Sequence, residues 1–256
     1  MVLAEARRSL IVERVNDAGQ VATETLAGQL DVSVETIRRD LQLLEQRDQV
    51  RRVHGGAVPA RRPRAQEASY LERRAHAADE KLAIGRTVVE MIPEGSTVFL
   101  DLGTTVDAVV SQIPNSFNGT LLTTSLRVAM ELTRLDRATV LSVGGRVRRE
   151  ELSVSGSMAS HLLSTIYPDV AVISTGAVNA NNGITDFDFE ELQLKRILLA
   201  NARQSLLVAD SSKFGGVATY GLCPVSIPDA IITTDALPTS ERQAITQAGG
   251  KLRFAE

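Results

Sequence analysis

The stretch Ser33-Val-Glu-Thr-Ile-Arg-Arg-Asp-Leu-Gln-Leu-Leu-Glu45 sets two adjacent arginines near the start of an amphipathic segment, in a chain whose formal net charge is −3. Ile37, Leu41 and Leu44 recur at i, i+4 and i+7, the spacing of one buried helix face. Ser33 stands where that helix needs an N-cap, its hydroxyl able to accept from the backbone N–H of Glu35 or Thr36. The other face carries Val34, Glu35, Arg38, Arg39 and Gln42. Upstream, Leu3, Leu10, Ile11 and Val15 predict a first helix ending near residues 17–19. Gly19-Gln-Val21 reads as a short extended piece, and Thr23 as the cap of a second helix over 24–29. Downstream, residues 50–54 alternate roughly and stop at Gly55-Gly56, as a strand and turn would. Three short helices, a strand and a glycine turn predict a winged helix-turn-helix, in which the third helix enters the DNA major groove.

The residue order suits that docking. Val34, Glu35, Arg38 and Gln42 face outward from the first turns, where arginine can grip guanine, glutamine can read adenine and valine can touch a thymine methyl. Thr36 and Arg39 are placed for the phosphate backbone, and Arg51, Arg52 and His54 fall on the wing. Every basic residue before Lys81 is an arginine, and eight lie between Arg38 and Arg64 against three acids. That local excess suits bidentate phosphate contact. A protein–protein module with a solvated charged face is the competing reading of the same pattern.

Composition narrows the class. With 256 residues, 43 % of them hydrophobic, the chain can bury a sizeable core. One cysteine, Cys223, excludes an intrachain disulfide and points to a reducing compartment. The charged N-terminus does not read as a signal peptide, and no apolar run approaches the roughly 18 residues of a membrane span. The expectation is a cytoplasmic protein with no membrane partner. His54, His76 and His161 are scattered, so neither a metal site nor a cofactor is expected.

Residues 59–78, with Pro59, Pro63 and many arginines and alanines, read as a partly helical linker. Beyond Lys81, short apolar strands alternate with helices. The strands are Thr97–Leu100, Thr120–Thr123, Thr139–Ser142, Val170–Ile173, 205–208 and 231–233. The helices cover 82–91, 106–113, 126–135, 161–166, 190–202 and 240–248. That alternation predicts an α/β fold, a doubly wound, mostly parallel sheet. The expected organisation is a DNA-binding domain over 1–58, a linker over 59–78 and an α/β domain over 79–256.

Asp101-Leu-Gly-Thr-Thr105 lies between a strand and a helix, at the carboxyl end of a parallel strand where α/β folds bind ligands. Gly103 admits close approach, Thr104 and Thr105 add hydroxyls, and the helix start offers free N–H groups to an anion such as phosphate. Thr123-Thr-Ser125 repeats the arrangement, and Gly144-Gly145 follows a further strand. Lys195 and Lys213 can add positive charge. Ordinary strand-end turns are also rich in Gly, Thr and Ser.

The run Leu30-Asp-Val-Ser-Val-Glu-Thr-Ile-Arg-Arg-Asp-Leu41, followed by Arg52-Val-His-Gly-Gly-Ala57, closely resembles the signature of the DeoR family of bacterial transcriptional regulators. The likeness extends over nearly the whole chain, through Asp101–Thr105, Thr123–Leu126, Gly144-Gly145, the strand and loop over 169–176, and Asp210-Ser-Ser-Lys-Phe-Gly215. It implies that Ser33, Arg38 and Arg39 contact double-stranded operator DNA, while Asp40 orients an arginine. It implies a sensor domain with the fold of ribose-5-phosphate isomerase, binding a phosphorylated sugar or polyol effector. The effector contacts implied are Asp101, Gly103, Thr104, Thr105, Thr123, Thr124, Ser125, Lys195 and Lys213. A homo-oligomer, dimer or tetramer, and repression of a sugar or polyol catabolic operon are expected.

The alternative is a sugar-phosphate isomerase with a DNA-binding arm. The related isomerases keep an Asp-Gly-Ala-Asp-Glu run where this chain has Ser174-Thr-Gly-Ala-Val178. They also carry a glutamate before the lysine aligned with Lys195, here Leu194. The cradle therefore reads as kept and the catalytic carboxylates as absent, with no catalytic residues expected. Asp186, Asp188, Glu190 and Glu191 read as a loop and helix start. Asp186-Phe-Asp-Phe-Glu190 resembles family members that respond to glycerol 3-phosphate; a fructose phosphate is the competing effector. A pure interaction module with a closed pocket is a third reading.

Overall fold

Helix α1 (Ala4–Ala18), strand β1 (Val21–Ala22), helices α2 (Thr23–Leu30) and α3 (Val34–Gln46), and strands β2 (Val50–Val53) and β3 (Gly56–Pro59) open the chain. The computed structural model describes residues 4–47, 49–53, 55–59 and 67–256. The chain divides into two units, Met1–Arg64 and Ala65–Glu256. The apolar periodicity of the first unit closes one core of Ile11, Val15, Leu26, Leu30, Ile37, Leu41, Leu44, Val50 and Ala57. Between α2 and α3 the chain turns on Asp31, at φ 51°, a left-handed position that aspartate tolerates. Ser33 caps α3 as its sequence predicts, accepting from the Thr36 N–H at 3.1 Å. Thr23 does not cap α2: the capping position is Ala22, and Thr23 is the buried first helical residue.

The strands form a sheet in the order β1-β3-β2, with β2 and β3 antiparallel and Val53 opposite Gly56. This hairpin is the expected wing. Asp40 is the buried electrostatic tie of the unit. Its two carboxylate oxygens accept from Arg7 Nε at 2.6 Å and Arg8 Nε at 2.9 Å, fastening α3 to α1. The carboxylate orients arginines, as expected of it, and they are those of the first helix.

The second unit begins with α4 (Tyr70–Ala75) and α5 (Ala78–Glu90), followed by β4 (Thr97–Leu100), α6 (Thr104–Gln112), β5 (Thr120–Thr123), α7 (Leu126–Leu132) and β6 (Thr139–Ser142). A hairpin of β7 (Arg146–Arg148) and β8 (Ser153–Ser155), then α8 (Ser157–Leu163) and β9 (Val170–Ile173), lead on to β10 (Ala177–Asn179), β11 (Gly183–Asp186) and α9 (Phe189–Asn201). The chain ends with β12 (Gln204–Val208), β13 (Tyr220–Cys223), β14 (Ala230–Thr234), α10 (Thr239–Gln247) and β15 (Leu252–Ala255).

Seven strands make one parallel sheet in the order β15-β14-β12-β9-β4-β5-β6. From β4 the chain winds one way through β5 to β6; from β9 it winds the other way through β12 and β14 to β15. Crossovers between parallel strands are right-handed, so reversing direction moves the helices to the other face. Accordingly α5, α6 and α7 bury one face, around Val98, Val109, Leu121 and Leu132. Helices α8, α9 and α10 bury the other, around Phe99, Leu163, Leu198 and Ile245. Gly85 lets α5 and α6 touch: a Cβ there would lie 2.6 Å from the Ala108 carbonyl oxygen. The doubly wound sheet expected from the alternation is present. The β7–β8 hairpin, the small antiparallel sheet β10-β11-β13 and β15 were not foreseen.

Removing the Asp40 charge leaves two arginines without their shared acceptor. Asp40→Asn should destabilise the first unit by about 2 kcal/mol, below the value for a fully buried pair because both arginines keep some solvent. Hydrogen exchange would show faster α1 and α3 amides with the second unit's amides unchanged. Equal protection in α1 would remove Asp40 as the tie.

Candidate functional site

On α3 the outward residues form one polar face. The Arg38 and Arg39 side chains are 65 % and 79 % exposed. Each lies near the Glu35 carboxylate, at 3.7 and 3.6 Å. Gln42, Arg51 and Arg52 are also exposed. Val34 is half-buried and packs on the core of the unit, so less of it is free for a partner than its outward position predicts. The Ser33 hydroxyl holds both the Thr36 N–H and, at 2.8 Å, the Thr36 hydroxyl, so this pair serves the helix start. His54 lies outside the described residues.

In the second unit the sheet reverses its winding between β4 and β9. The loops after adjacent strands diverge there and leave a crevice. Two neighbouring cavities occupy it, sharing Arg73, Gly176, Phe187 and Lys213 in their walls. The larger has a volume of about 380 Å³. The smaller is lined by Gly103, Thr104, Thr105, Ser174, Glu191 and Lys195 among others. Gly103, at φ 99°, turns the chain from β4 into α6 and leaves the first N–H groups of that helix facing the crevice. Thr105 is 5 % exposed, and its hydroxyl has no hydrogen-bond partner among the described residues. Lys213, on the turn after β12, donates its backbone N–H to the Asp210 carbonyl at 3.1 Å, but its ammonium makes no hydrogen bond or ion pair with the described residues. Burial pushes its pKa below the ordinary lysine value, although nearby Asp210 opposes the shift.

Lys195 differs from Lys213. Its ammonium lies 2.6 Å from Asp186 Oδ2 and 3.0 Å from Asp101 Oδ2, and donates to the Ser174 carbonyl at 3.0 Å. Burial alone would lower its pKa, but Asp101 and Asp186 raise it above the ordinary value. Asp101 Oδ2 also accepts from the Ser174 N–H at 2.9 Å and its hydroxyl at 2.8 Å. Asp101 and Lys195, expected to meet a ligand directly, therefore spend their polar atoms on each other. They fix the floor of the crevice.

Acids were expected to be missing from Ser174–Val178 and from Leu194, and other carboxylates stand near the crevice. Asp186 and Glu191 line the smaller cavity, and Asp101 lies beside it, tied to Lys195. Asp188, Glu190 and Glu191 stand at the start of α9 as the helix-start reading predicts, Asp188 capping it by accepting from the Glu190 and Glu191 N–H groups at 2.9 and 3.0 Å. Thr123, Thr124 and Ser125 do not line either cavity. They are buried where β8 crosses them: the Val154 N–H donates to the Thr124 carbonyl at 2.7 Å, and Ser125 caps α7. Gly144 and Gly145 are exposed beyond β6, two strands from the crevice, and line neither cavity.

The sequence reading missed the segment that crosses the crevice. The unit boundary puts residues 65–78 with the sensor sheet, and Glu67, Ala68, Glu72, Arg73 and His76 line the cavities. Arg73 pairs with Glu151, and Glu67 with Arg148. One signal was readable: Ser69-Tyr-Leu-Glu72 is a capping box, closed in both directions at the start of α4.

Glu191 is almost fully buried between Ser153 and Arg148. Burial pushes its pKa up from 4.5 to about 7, against the pull of Ser153 and Lys195. A raised carboxyl pKa means the folded state holds the proton more tightly than the unfolded chain. That stabilisation is complete below about pH 4.5 and lost as pH rises through about 7. Glu191→Gln should therefore gain stability relative to the parent protein across that window, by at most about 3 kcal/mol. Parallel melting profiles from pH 4.5 to 8 would show that Glu191 titrates normally.

Among the described residues, no helix is long and apolar enough to cross a membrane. None of their His, Cys, Asp and Glu side chains form a group of three or more that could hold a metal ion. Residues 7–62 match the DeoR-like helix-turn-helix domain, and residues 76–235 match the DeoR C terminal sensor domain. The glycerol-3-phosphate regulon repressor of Escherichia coli (strain K12) is 33 % identical over 94 % of each chain. The HTH-type transcriptional regulator GlpR of Haloferax volcanii is 34 % identical over 97 % of this chain and 96 % of its own. Among solved structures, ribose 5-phosphate isomerase A from Methanocaldococcus jannaschii is similar at a TM-score of 0.40 and 16 % identity over 54 % of each chain. With both of its domains matched and relatives of this identity covering nearly its whole length, the chain belongs to the DeoR family of DNA-binding transcriptional regulators.

Proposed function

We propose that the protein is a cytoplasmic repressor of a sugar or polyol catabolic operon, released from operator DNA by a small phosphorylated metabolite. The observation that carries this reading is the combination in one chain of an exposed arginine face on α3 and a crevice with an unpaired ammonium. Arg38 and Gln42 are assigned to base edges, and Arg39, Arg51 and Arg52 to phosphates, with Val34, Glu35 and Thr36 at the same face. Ser33 acts by fixing the start of α3. A helix-turn-helix reads two half-sites as a dimer, so the active form is assigned as a homo-oligomer.

For the effector, the Gly103 turn, the Thr105 hydroxyl, the N–H groups at the start of α6 and Lys213 supply donors for a dianion. The name of the Escherichia coli relative makes glycerol 3-phosphate the first compound to test, and a fructose phosphate is the second. Binding without turnover is the reading the carboxylates support. Asp101 and Asp186 are held by Lys195, and Glu191 by Ser153 and Arg148. None is left to act as a base towards a bound carbonyl compound.

Two substitutions separate the sites. Arg38→Ala should weaken binding to DNA from upstream of the protein's own gene by about 1–3 kcal/mol and relax base preference at one position. Anisotropy indistinguishable from the parent would remove Arg38 from the interface. Thr105→Val keeps the shape of the side chain and deletes a hydroxyl. DNA affinity should stay the same while the concentration of glycerol 3-phosphate needed for release rises about tenfold, as for one lost hydrogen bond to a charged group. An unchanged release curve would place the anion elsewhere.

A further inference from the structure

The segment that follows the DNA-binding unit supplies a cation to the crevice that the sequence signature does not include. Arg73, on α4, is largely buried, its side chain 16 % exposed. One terminal nitrogen pairs with Glu151, while Nε donates to the Ala68 carbonyl at 3.0 Å. The other terminal nitrogen lies over the Gly103 turn, 3.9 Å from where a Cβ on that glycine would stand. Arg73 and Lys213 are walls of both cavities. A dianion seated at the start of α6 therefore meets a guanidinium already in place overhead, and that guanidinium is occupied by Glu151.

The same residue anchors its own segment. The Arg73 carbonyl accepts from the buried Lys81 ammonium and from the Thr104 hydroxyl at 3.4 Å. Six residues earlier, Glu67 is held by Arg148. The backbone around Arg73 is thus docked independently of its side chain, and the guanidinium can change partner. Guanidinium groups bind carboxylate and phosphate with the same planar donor fork, so the two compete directly.

We propose that Arg73 is a ligand for the anionic group of the effector, held in reserve by Glu151, so that effector binding and the Arg73–Glu151 pair draw on one guanidinium. The inference rests on the effector-binding reading above and adds to it how the site reaches the interdomain segment. An effector that takes Arg73 from Glu151 removes one ion pair between residues 67–76 and the rest of their unit, and these residues follow on the DNA-binding unit in the chain. Conversely, any state that tightens the pair lowers effector affinity by the same factor.

Calorimetric titration of the full chain with glycerol 3-phosphate, and separately with fructose 6-phosphate, tests this with three variants. Glu151→Gln should bind at least one of the two probes about tenfold more tightly than the parent protein. Arg73→Gln should bind it about tenfold more weakly. In the double variant the Glu151→Gln gain should vanish, because the acid acts only through Arg73; a structural role for either residue would give additive effects. Thermal melting of each variant establishes that it is folded. Tight binding by the parent with no gain in folded Glu151→Gln, or a gain that persists without Arg73, overturns the exchange and leaves the effector site standing. Failure of the parent and of Glu151→Gln alike to bind either probe overturns the effector reading, and the exchange with it.

Discussion

One buried ammonium holds the sensor unit together at the point where its sheet changes direction. Lys195 projects from α9 and is met by Asp101 at the end of β4, Ser174 at the end of β9 and Asp186 at the end of β11. An unpaired charge at that depth is strongly unfavourable, so all three strand ends must converge on it or the unit does not close. The crevice above is a consequence. Its floor is polar and held by internal ion pairs, and the donors left open lie on the rim: a helix start, a threonine hydroxyl and a lysine on a short turn.

Much of the fold was legible. Strands over Thr97–Leu100, Thr120–Thr123 and Val170–Ile173 stand where their apolar runs placed them, because parallel strands buried on both faces read as continuous hydrophobic segments, and the exposed edge strand Thr139–Ser142 stands where it was expected too. What was missed is short and half polar. Arg146–Arg148 and Ser153–Ser155 carry too few apolar residues to show a period, and their pairing is set by the loops they cover. The motif residues after β4 and β12 line the crevice, whereas Thr123–Ser125 lie under the β7–β8 hairpin, because a strand-end Thr/Ser cluster looks alike whether it faces solvent or a covering hairpin. The inward turn of Glu191 was hidden for the opposite reason. Glu191 has the sequence setting of a helix-start residue, and only the tertiary fold turns it inward.

The segment over 67–76 shows how composition misleads. Arginine, alanine and glutamate without apolar periodicity describe a tether, and its attachment consists of ion pairs and backbone acceptors in place of hydrophobic burial. Arg73, Glu67 and the carbonyls gripped by Lys81 are long-range contacts between residues of unremarkable local pattern. Such an attachment is strong where it is dry and depends on charge.

The two exposed arginines of α3 carry their own counter-charge. Glu35 stands within 4 Å of both, so the free protein presents a partly neutralised face and not a bare cationic one. In the docking proposed above, any DNA must first draw Arg38 and Arg39 away from that carboxylate, and must then tolerate the acid near its own phosphates. A random duplex offers only backbone charge in exchange, and fewer condensed ions are set free by a surface already half compensated. A matching half-site adds base-edge bonds that outweigh the displaced pair. Glu35 thus makes backbone charge alone a weaker attraction for this face, and leaves base-edge contacts a larger share of whatever affinity remains.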